Sequence, residues 1–320
     1  MPRALRRIGL VLALLAAAAG LAAWQGWRAY TAPGPLAEER AVAIPRGGAE
    51  GIAGALSRAG VIGDTRAFAL AAWATRAEGP LRAAEFAFPP GASLQEVLRI
   101  LREGRPVQRR LTIPEGLSAR QIATLLERTE GLTGDIPPIA EGALLPETYA
   151  YQRGDARAAL VRRAEAAMAQ ALAEAWAGRA EGLPLASPRE ALVLASIVER
   201  ETGLAEERAR IAAVFVNRLR RGMPLQSDPT VIYAAAEGAA FDRPITRADL
   251  ERDHPFNTYR NRGLPPAPIA APGRDALRAV TRPAQTEELF FVATGEGGHA
   301  FARTLEEHNG NVARWRARGQ

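Results

Sequence analysis

Ser187-Pro-Arg-Glu-Ala-Leu-Val-Leu-Ala-Ser-Ile-Val-Glu-Arg-Glu-Thr202 carries a helix start, a helical apolar period and a helix end in one run. The helix opens at Ser187, and Pro188 occupies the first turn, where a missing N–H costs little. Gly203 follows as a stop. Leu194, Ile197, Val198 and Glu201 recur at i, i+3, i+4 and i+7 and so share one face. Glu199 falls on a different face with Leu192, Ala195 and Ser196, which assigns it to the rim or to solvent. Glu201 extends the apolar stripe. A carboxyl in that place is desolvated, and in the last turn it also meets exposed carbonyls, so both effects raise its pKa. A carboxylic acid still protonated near neutral pH is what general acid catalysis requires. The same residues also allow a plainer reading, a surface Glu that closes the helix with Arg200 or Arg208 as partner.

Outward from this helix the chain stays helix-rich. A pattern over residues 156–176 carries Leu160, Val161, Ala164, Met168, Leu172 and Ala175. Another over 205–221 carries Ile211, Val214, Phe215 and Leu219, and Gly222 closes it. Residues 224–273 are dense in Pro, Gly, Asn and Asp and show little periodicity. Residues 289–301 read as a hairpin around Gly295-Glu-Gly-Gly298, and Thr304 with Glu307 forms a capping box for a last helix.

Toward the N-terminus a weak repeat appears. Ala43-Ile-Pro-Arg-Gly47 precedes Ile52, Ala53 and Leu56; Ala87-Phe-Pro-Pro-Gly91 precedes Leu94, Val97, Leu98 and Leu101; Thr112-Ile-Pro-Glu-Gly116 precedes Leu117, Ile122, Leu125 and Leu126. Each unit reads as a short strand, a Pro/Gly turn and an amphipathic helix, with Ser93 and Ser118 placed as N-caps. Such units resemble LysM-type modules, which hold glycans, or form an α+β core with no ligand. Before them, Arg3, Arg6 and Arg7 flank an uncharged run over residues 8–24, with Trp24 and Trp27 at its far end. A basic flank, an apolar run and interfacial tryptophans describe a membrane helix with its N-terminus in the cytoplasm. The run is at the short end of what spans a bilayer, about 17–25 residues. Small residues over 16–19 keep a cleaved signal peptide as the rival reading.

Composition excludes several chemistries. The chain has 320 residues, 48% apolar and 24% charged, with a mean hydropathy of -0.12, so it is globular rather than disordered. It has no Cys, which removes disulfides, zinc-thiolate sites and cysteine nucleophiles. All 41 basic residues are Arg, so Walker-type phosphate binding and Schiff-base chemistry lack their lysine. His254, His299 and His308 form no H-E-x-x-H pattern, and no metal or cofactor is expected. The net charge of +6 is spread among 35 acids without a like-charge block, which argues for a solvated surface and no nucleic acid.

The chain resembles the endolytic murein transglycosylase family (MltG, YceG-like) over residues 40–318. The carrying stretches are Glu141-Gly-Ala-Leu-Leu-Pro-Glu-Thr-Tyr149, Leu194-Ala-Ser-Ile-Val-Glu-Arg-Glu-Thr202, Val216-Asn-Arg-Leu219 and Gly222-Met-Pro-Leu-Gln-Ser-Asp-Pro-Thr-Val-Ile-Tyr233. Phe256-Asn-Thr-Tyr259, Gly263-Leu-Pro-Pro266, Ala271-Pro-Gly273 and Glu307-His-Asn309 continue the order. Glu147 stands where an Asp is common, and Ala267 where a Gly is frequent.

The resemblance implies an α+β protein: basic flank 1–7, transmembrane anchor 8–27, linker 28–40, LysM-like α/β module 41–105 and a helix-rich α+β catalytic domain 106–320. It implies a single-pass inner-membrane protein whose catalytic domain is periplasmic. The activity would be non-hydrolytic cleavage of the MurNAc–GlcNAc β-1,4 bond of peptidoglycan, leaving 1,6-anhydro-MurNAc ends and terminating or trimming nascent strands. Glu201 would be the catalytic residue. Gln226, Ser227 and Asp228 would lie nearest the chemistry. Asn217, Thr230 and Tyr233 would complete one groove wall, with Asn257, Thr258 and Tyr259 on another and Glu147 and Tyr149 shaping or closing the groove. On their own pattern Asn217 is a helix-surface residue, and Asp228-Pro229 and Asn257-Thr258 are turn caps. His299 and His308 would orient loops and have no proton-transfer role. Partners would be glycan strands, the membrane and peptidoglycan synthases. The alternatives are a muramidase-type hydrolase using Glu201 and Asp228, and a non-catalytic wall-binding scaffold.

Overall fold

The computed structural model describes residues 2–318, with side chains for 7–317. Met1 of the basic flank, and the side chains of Arg3 and Arg6, lie outside what is described. The chain forms two compact units, residues 1–109 with 152–154, and residues 110–151 with 155–320.

The first unit begins with α1 (Pro2–Thr31) and continues through β1 (Arg40–Ala43), α2 (Ala49–Arg58) and α3 (Thr65–Ala74). A 3-10 turn (Arg76–Glu78), β2 (Glu85–Phe88) and α4 (Leu94–Glu103) complete it. Over Arg7–Thr31, α1 is long and apolar enough to cross a membrane. β1 and β2 pair antiparallel, Arg40 opposite Phe88 and Ala43 opposite Glu85. Both strands are followed by the expected Pro/Gly turns and helices. Ser93 caps α4 by accepting from the Glu96 N–H at 3.2 Å. The core gathers Ile52, Leu56, Phe68, Phe86, Phe88, Val97, Leu98 and Leu101. Helix α3 had no counterpart in the sequence reading. Asp64 starts it, accepting from Arg66 and Ala67 N–H groups.

The second unit holds most of β3 (Arg109–Thr112), then α5 (Ala119–Arg128), β4 (Thr148–Tyr151), α6 (Arg157–Ala177), α7 (Pro188–Glu201) and α8 (Ala205–Arg220). It ends with α9 (Asp228–Ala236), α10 (Arg247–Glu251), α11 (Arg274–Thr281), β5 (Phe290–Ala293), β6 (His299–Ala302) and α12 (Leu305–Arg318). β3 pairs with β4, and Ser118 with Gln121 forms a reciprocal capping box for α5. The last hairpin is antiparallel, Phe290 opposite Ala302, with Gly295 and Gly297 at positive φ in its turn. Thr304 and Glu307 cap α12 as the sequence predicts. The aperiodic stretch 224–273 is corrected in part. It holds α9, which Pro229 opens in the first turn, and the short α10, which Thr246 and Asp249 cap.

Helix α7 is the centre of this unit. Ala191 and Val193 through Val198 are all buried. α6, α8 and α11 contribute Met168, Ile211, Phe215, Leu277 and Val280 to the same cluster. At roughly 25 cal/mol per Å² of apolar area removed from water, this is the largest stabilising term available to the unit. Even Ser196 sits inside, donating to the Val193 carbonyl and accepting from the Ile269 N–H. The last turn of α7 therefore cannot move without moving the core.

Candidate active site

Because α7 is buried on most sides over residues 191–198, face alone does not separate its two glutamates. Glu199 is not at the rim: its side chain is only 4% exposed. It accepts from the Gly273 N–H at 2.8 Å and from Arg208 Nη2 at 3.2 Å. Arg208 also approaches Glu115 and Asp275. Burial raises the Glu199 pKa, while the Gly273 amide and Arg208 oppose the rise. A Cβ at 273 would lie 1.8 Å from the carboxylate of the half-exposed Glu115 side chain, which would have to swing aside. Glu199 thus closes α7 onto the start of α11.

Glu201 has a different environment. Arg208 serves Glu199, and Arg200 donates to the Gly116 carbonyl, so neither arginine acts as the partner that the plainer reading gave Glu201. Its partner is Ser227, whose Oγ donates to Glu201 Oε1 at 2.5 Å. Burial of the carboxyl pushes its pKa up to about 7. The Asp228 charge adds to that rise, and the Ser227 hydroxyl and Arg218 oppose it. The result is a carboxyl poised to hold or release a proton at neutral pH.

The loop before α9 sets Ser227. Gln226 takes φ +51, an uncommon left-handed conformation for a residue with a side chain. Its amide donates to the Thr258 carbonyl at 3.2 Å, and the Ser227 amide donates to Thr258 Oγ1 at 3.0 Å. Thr230 Oγ1 lies 2.8 Å from Thr258 Oγ1 and donates to the Ser227 carbonyl at 2.7 Å. Thr230 and Thr258 are fully buried and brace the loop. Gln226 and Asp228 are exposed on either side of buried Ser227. The Tyr259 hydroxyl donates to Asp228 Oδ1 at 2.6 Å, which joins the two loops at their outer edge. Burial and this carboxylate raise the Tyr259 pKa, so the phenol stays protonated.

A residue that sequence reasoning passed over organises this loop from below. Arg218, on α8, is only 8% exposed. Its Nη1 donates to the carbonyls of Leu225 (2.7 Å) and Pro224 (3.3 Å) and to Gln226 Oε1 (3.2 Å). Its Nε donates to the Leu289 carbonyl at 2.7 Å. The guanidinium also lies 5.2 Å from the Phe290 ring centroid. One buried cation therefore joins α8, the 224–226 loop and the start of β5. An arginine inside a mostly apolar helix was the available signal, since a buried charge needs partners.

The other expected groove residues have different duties. Asn217 donates to the carbonyls of Thr286 and Glu288, so it braces the approach to β5 and does not face Glu201. Asn257 is fully buried and spends its amide on the Leu250 and Arg252 carbonyls, as a cap. Tyr149 is buried, with its hydroxyl on the Leu145 carbonyl. Glu147 pairs with Arg274 at 2.8 Å on the surface. Tyr233 stacks against Phe256 at 4.7 Å, donates to Glu141 and lines a cavity of about 250 Å³ with Gly116, Arg200, Pro229 and Phe241. His299 ties the last hairpin to Glu207 of α8 at 2.6 Å. His308 stacks on Phe290 at 5.2 Å. Among the described residues no group of three or more His, Asp or Glu could hold a metal ion.

The sequence profile of the YceG-like family matches residues 42–314. An endolytic murein transglycosylase of Bacillus subtilis (strain 168) is 39% identical to this chain, over 53% of this chain and 46% of its own length. One from Streptococcus pneumoniae serotype 2 is 30% identical over 73% of this chain and 50% of its own length. The chain spans about half the length of the curated relatives it matches. The 2.6 Å crystal structure of the yceG-like protein lmo1499 from Listeria monocytogenes matches with a TM-score of 0.53 at 29% identity, over 86% of this chain and 99% of that one.

Proposed function

The chain belongs to the YceG-like family, and from that membership we propose that it is an endolytic lytic transglycosylase of peptidoglycan. The observation that carries the reading is Glu201, a half-buried carboxyl bonded to buried Ser227 beside the exposed Gln226 and Asp228, its pKa pushed up to about 7. Protonated Glu201 gives its proton to the oxygen between MurNAc and GlcNAc as that bond breaks. The carboxylate then takes the proton of the muramyl 6-hydroxyl, whose oxygen closes onto C1 as a 1,6-anhydro ring. One proton leaves the carboxyl and one returns, and no water is consumed. A single carboxyl suffices because the nucleophile belongs to the substrate.

The remaining roles follow from the same proposal. Gln226, Ser227, Asp228 and Tyr259 form the sugar-facing edge, with Tyr233 on the adjoining wall. Residues 41–105 act as a LysM-like module that holds glycan, and 106–320 as the catalytic domain. Helix α1 anchors the chain in the cytoplasmic membrane, with the rest outside it, near peptidoglycan synthases.

One observation favours a second reading. Asp228 lies close enough to Glu201 to raise its pKa, and a hydrolase would use a second carboxylate about 5–9.5 Å away. The masses of the products decide. Digestion of purified peptidoglycan by the full chain is expected to release ends lighter by one water than reducing ends. Reducing ends would make it a muramidase with Asp228 as partner, and no release would leave a wall-binding scaffold.

The pH profile is a further check. Cleavage needs protonated Glu201 and is expected to fall as pH rises through about 7. Ser227→Ala removes a bond to the charged form, so the Glu201 pKa rises and the alkaline limb moves up by about one pH unit. A limb that stays in place would show that Ser227 does not hold the carboxylate.

A further inference from the structure

Helix α3 carries an apolar face that its own unit leaves uncovered. Phe68 and Ala72 enter the core, whereas Leu70 and Trp73 are 66% and 62% exposed. Ala67, Leu70, Ala71 and Ala74 form a stripe at i, i+3, i+4 and i+7. On α1, Ala23, Gly26, Trp27 and Tyr30 have the same spacing. Together with Leu94 the two stripes line one apolar cleft of about 460 Å³.

The place of the cleft along α1 says what fills it. The apolar run ends at Trp24, the first charge after it is Arg28, and Trp24 and Trp27 are residues that settle at the boundary between hydrocarbon and headgroups. Residues 23–30 line the cleft, so α3 lies at that depth beside α1. Leu70 and Trp73 stand exposed beside this cleft and extend its apolar surface, the kind of contiguous patch that marks a membrane or partner contact. Arg76 lies 4.6 Å from the Trp73 ring centroid and Arg28 lies 5.0 Å from that of Trp24. Each ring can enter the acyl boundary while its guanidinium meets lipid phosphate.

We infer that α3 is a second membrane contact: Leu70 and Trp73 insert into the outer leaflet beside α1, and a lipid acyl chain occupies the cleft between the two helices. The inference rests on the reading of α1 as a membrane anchor. An anchor alone leaves the unit free to swivel about one helix, and a second contact fixes its tilt against the lipid.

The absence of native Cys allows a direct test. Leu14→Cys, Leu70→Cys and Trp73→Cys, all at exposed positions, take an environment-sensitive fluorophore in the full chain. The labelled chains are reconstituted in phosphatidylethanolamine–phosphatidylglycerol vesicles carrying nitroxide lipids. A nitroxide near the headgroup is expected to cut the emission at 70 and 73 about twofold, as for side chains about 5–10 Å below the surface. A nitroxide near the bilayer centre is expected to quench position 14. Quenching at 14 with full emission and iodide access at 70 and 73 would overturn the α3 contact and leave the anchor standing. No quenching at 14 would remove the anchor, and this inference with it.

Discussion

Glu201→Gln is expected to lower peptidoglycan cleavage about a thousandfold, within the range a positioned general acid contributes. Gln keeps the size of the side chain and an oxygen to accept from Ser227 Oγ, so the fold is retained. Only the transferable proton is lost. The same variant has a second readout with a sign. The folded-state pKa of Glu201 is about 7 and its ordinary value 4.5. Between those values the folded chain holds a proton that the unfolded chain has released, so wild-type stability falls as pH rises through this window. The cost is complete above pH 7 and amounts to about 3 kcal/mol. The Gln variant has no such cost. It is expected to melt close to wild type at pH 4 and above it at pH 8. A variant that still cleaves, or that is less stable than wild type at pH 8, would sink the assignment of Glu201 as the acid.

Arg218→Ala is the other large effect, for a different reason. Its guanidinium has acceptors on three carbonyls and one side-chain oxygen, and its removal leaves those groups under a buried loop without a donor. Breaking such an arrangement costs about 3 kcal/mol. The 224–226 loop would lose its support, and with it the φ +51 turn at Gln226 that presents Ser227. Chemical denaturation reads the stability loss. Cleavage should fall as well, because the loop that sets Gln226 and Asp228 beside Glu201 is no longer held. Arg218→Lys should recover less than half of the stability, since a compact ammonium cannot reproduce the planar fork. An alanine variant within about 0.5 kcal/mol of wild type, the range of ordinary surface substitutions, would refute this role.

Local signals explain what the sequence disclosed. Ser187, Pro188 and the apolar period of 191–198 announce α7 without any other part of the chain, and Thr304 with Glu307 announces α12. Glu201 was legible for the same reason. Glu199 was not, because a helical-face argument assumes one buried side and α7 is buried on most sides. Asn217 and Asn257 look like sugar-binding amides in a list of residue types. The Thr286 carbonyl that Asn217 meets is 69 residues away and only folding brings it near, whereas Asn257 caps the Leu250 and Arg252 carbonyls close by, as its turn pattern suggested. Helix α9 hid in a Pro- and Asp-rich stretch because those residues also start helices, and here they do.

The burial of α7 on most sides separates what this fold must keep from what it can vary. Glu201 sits at the end of a segment in which every residue from 191 to 198 but the half-buried Leu192 is buried, so substitutions there mostly destroy the protein rather than retune it. Gln226 and Tyr259 stand on connecting loops and Asp228 opens α9, and Gln226 and Asp228 are exposed. On the proposed function, glycan preferences can vary at Gln226 and Tyr259, whereas a change at Asp228 also moves the Glu201 pKa. A directed-evolution library aimed at altered wall chemistries belongs in those two loops, with residues 187–202 left as they are.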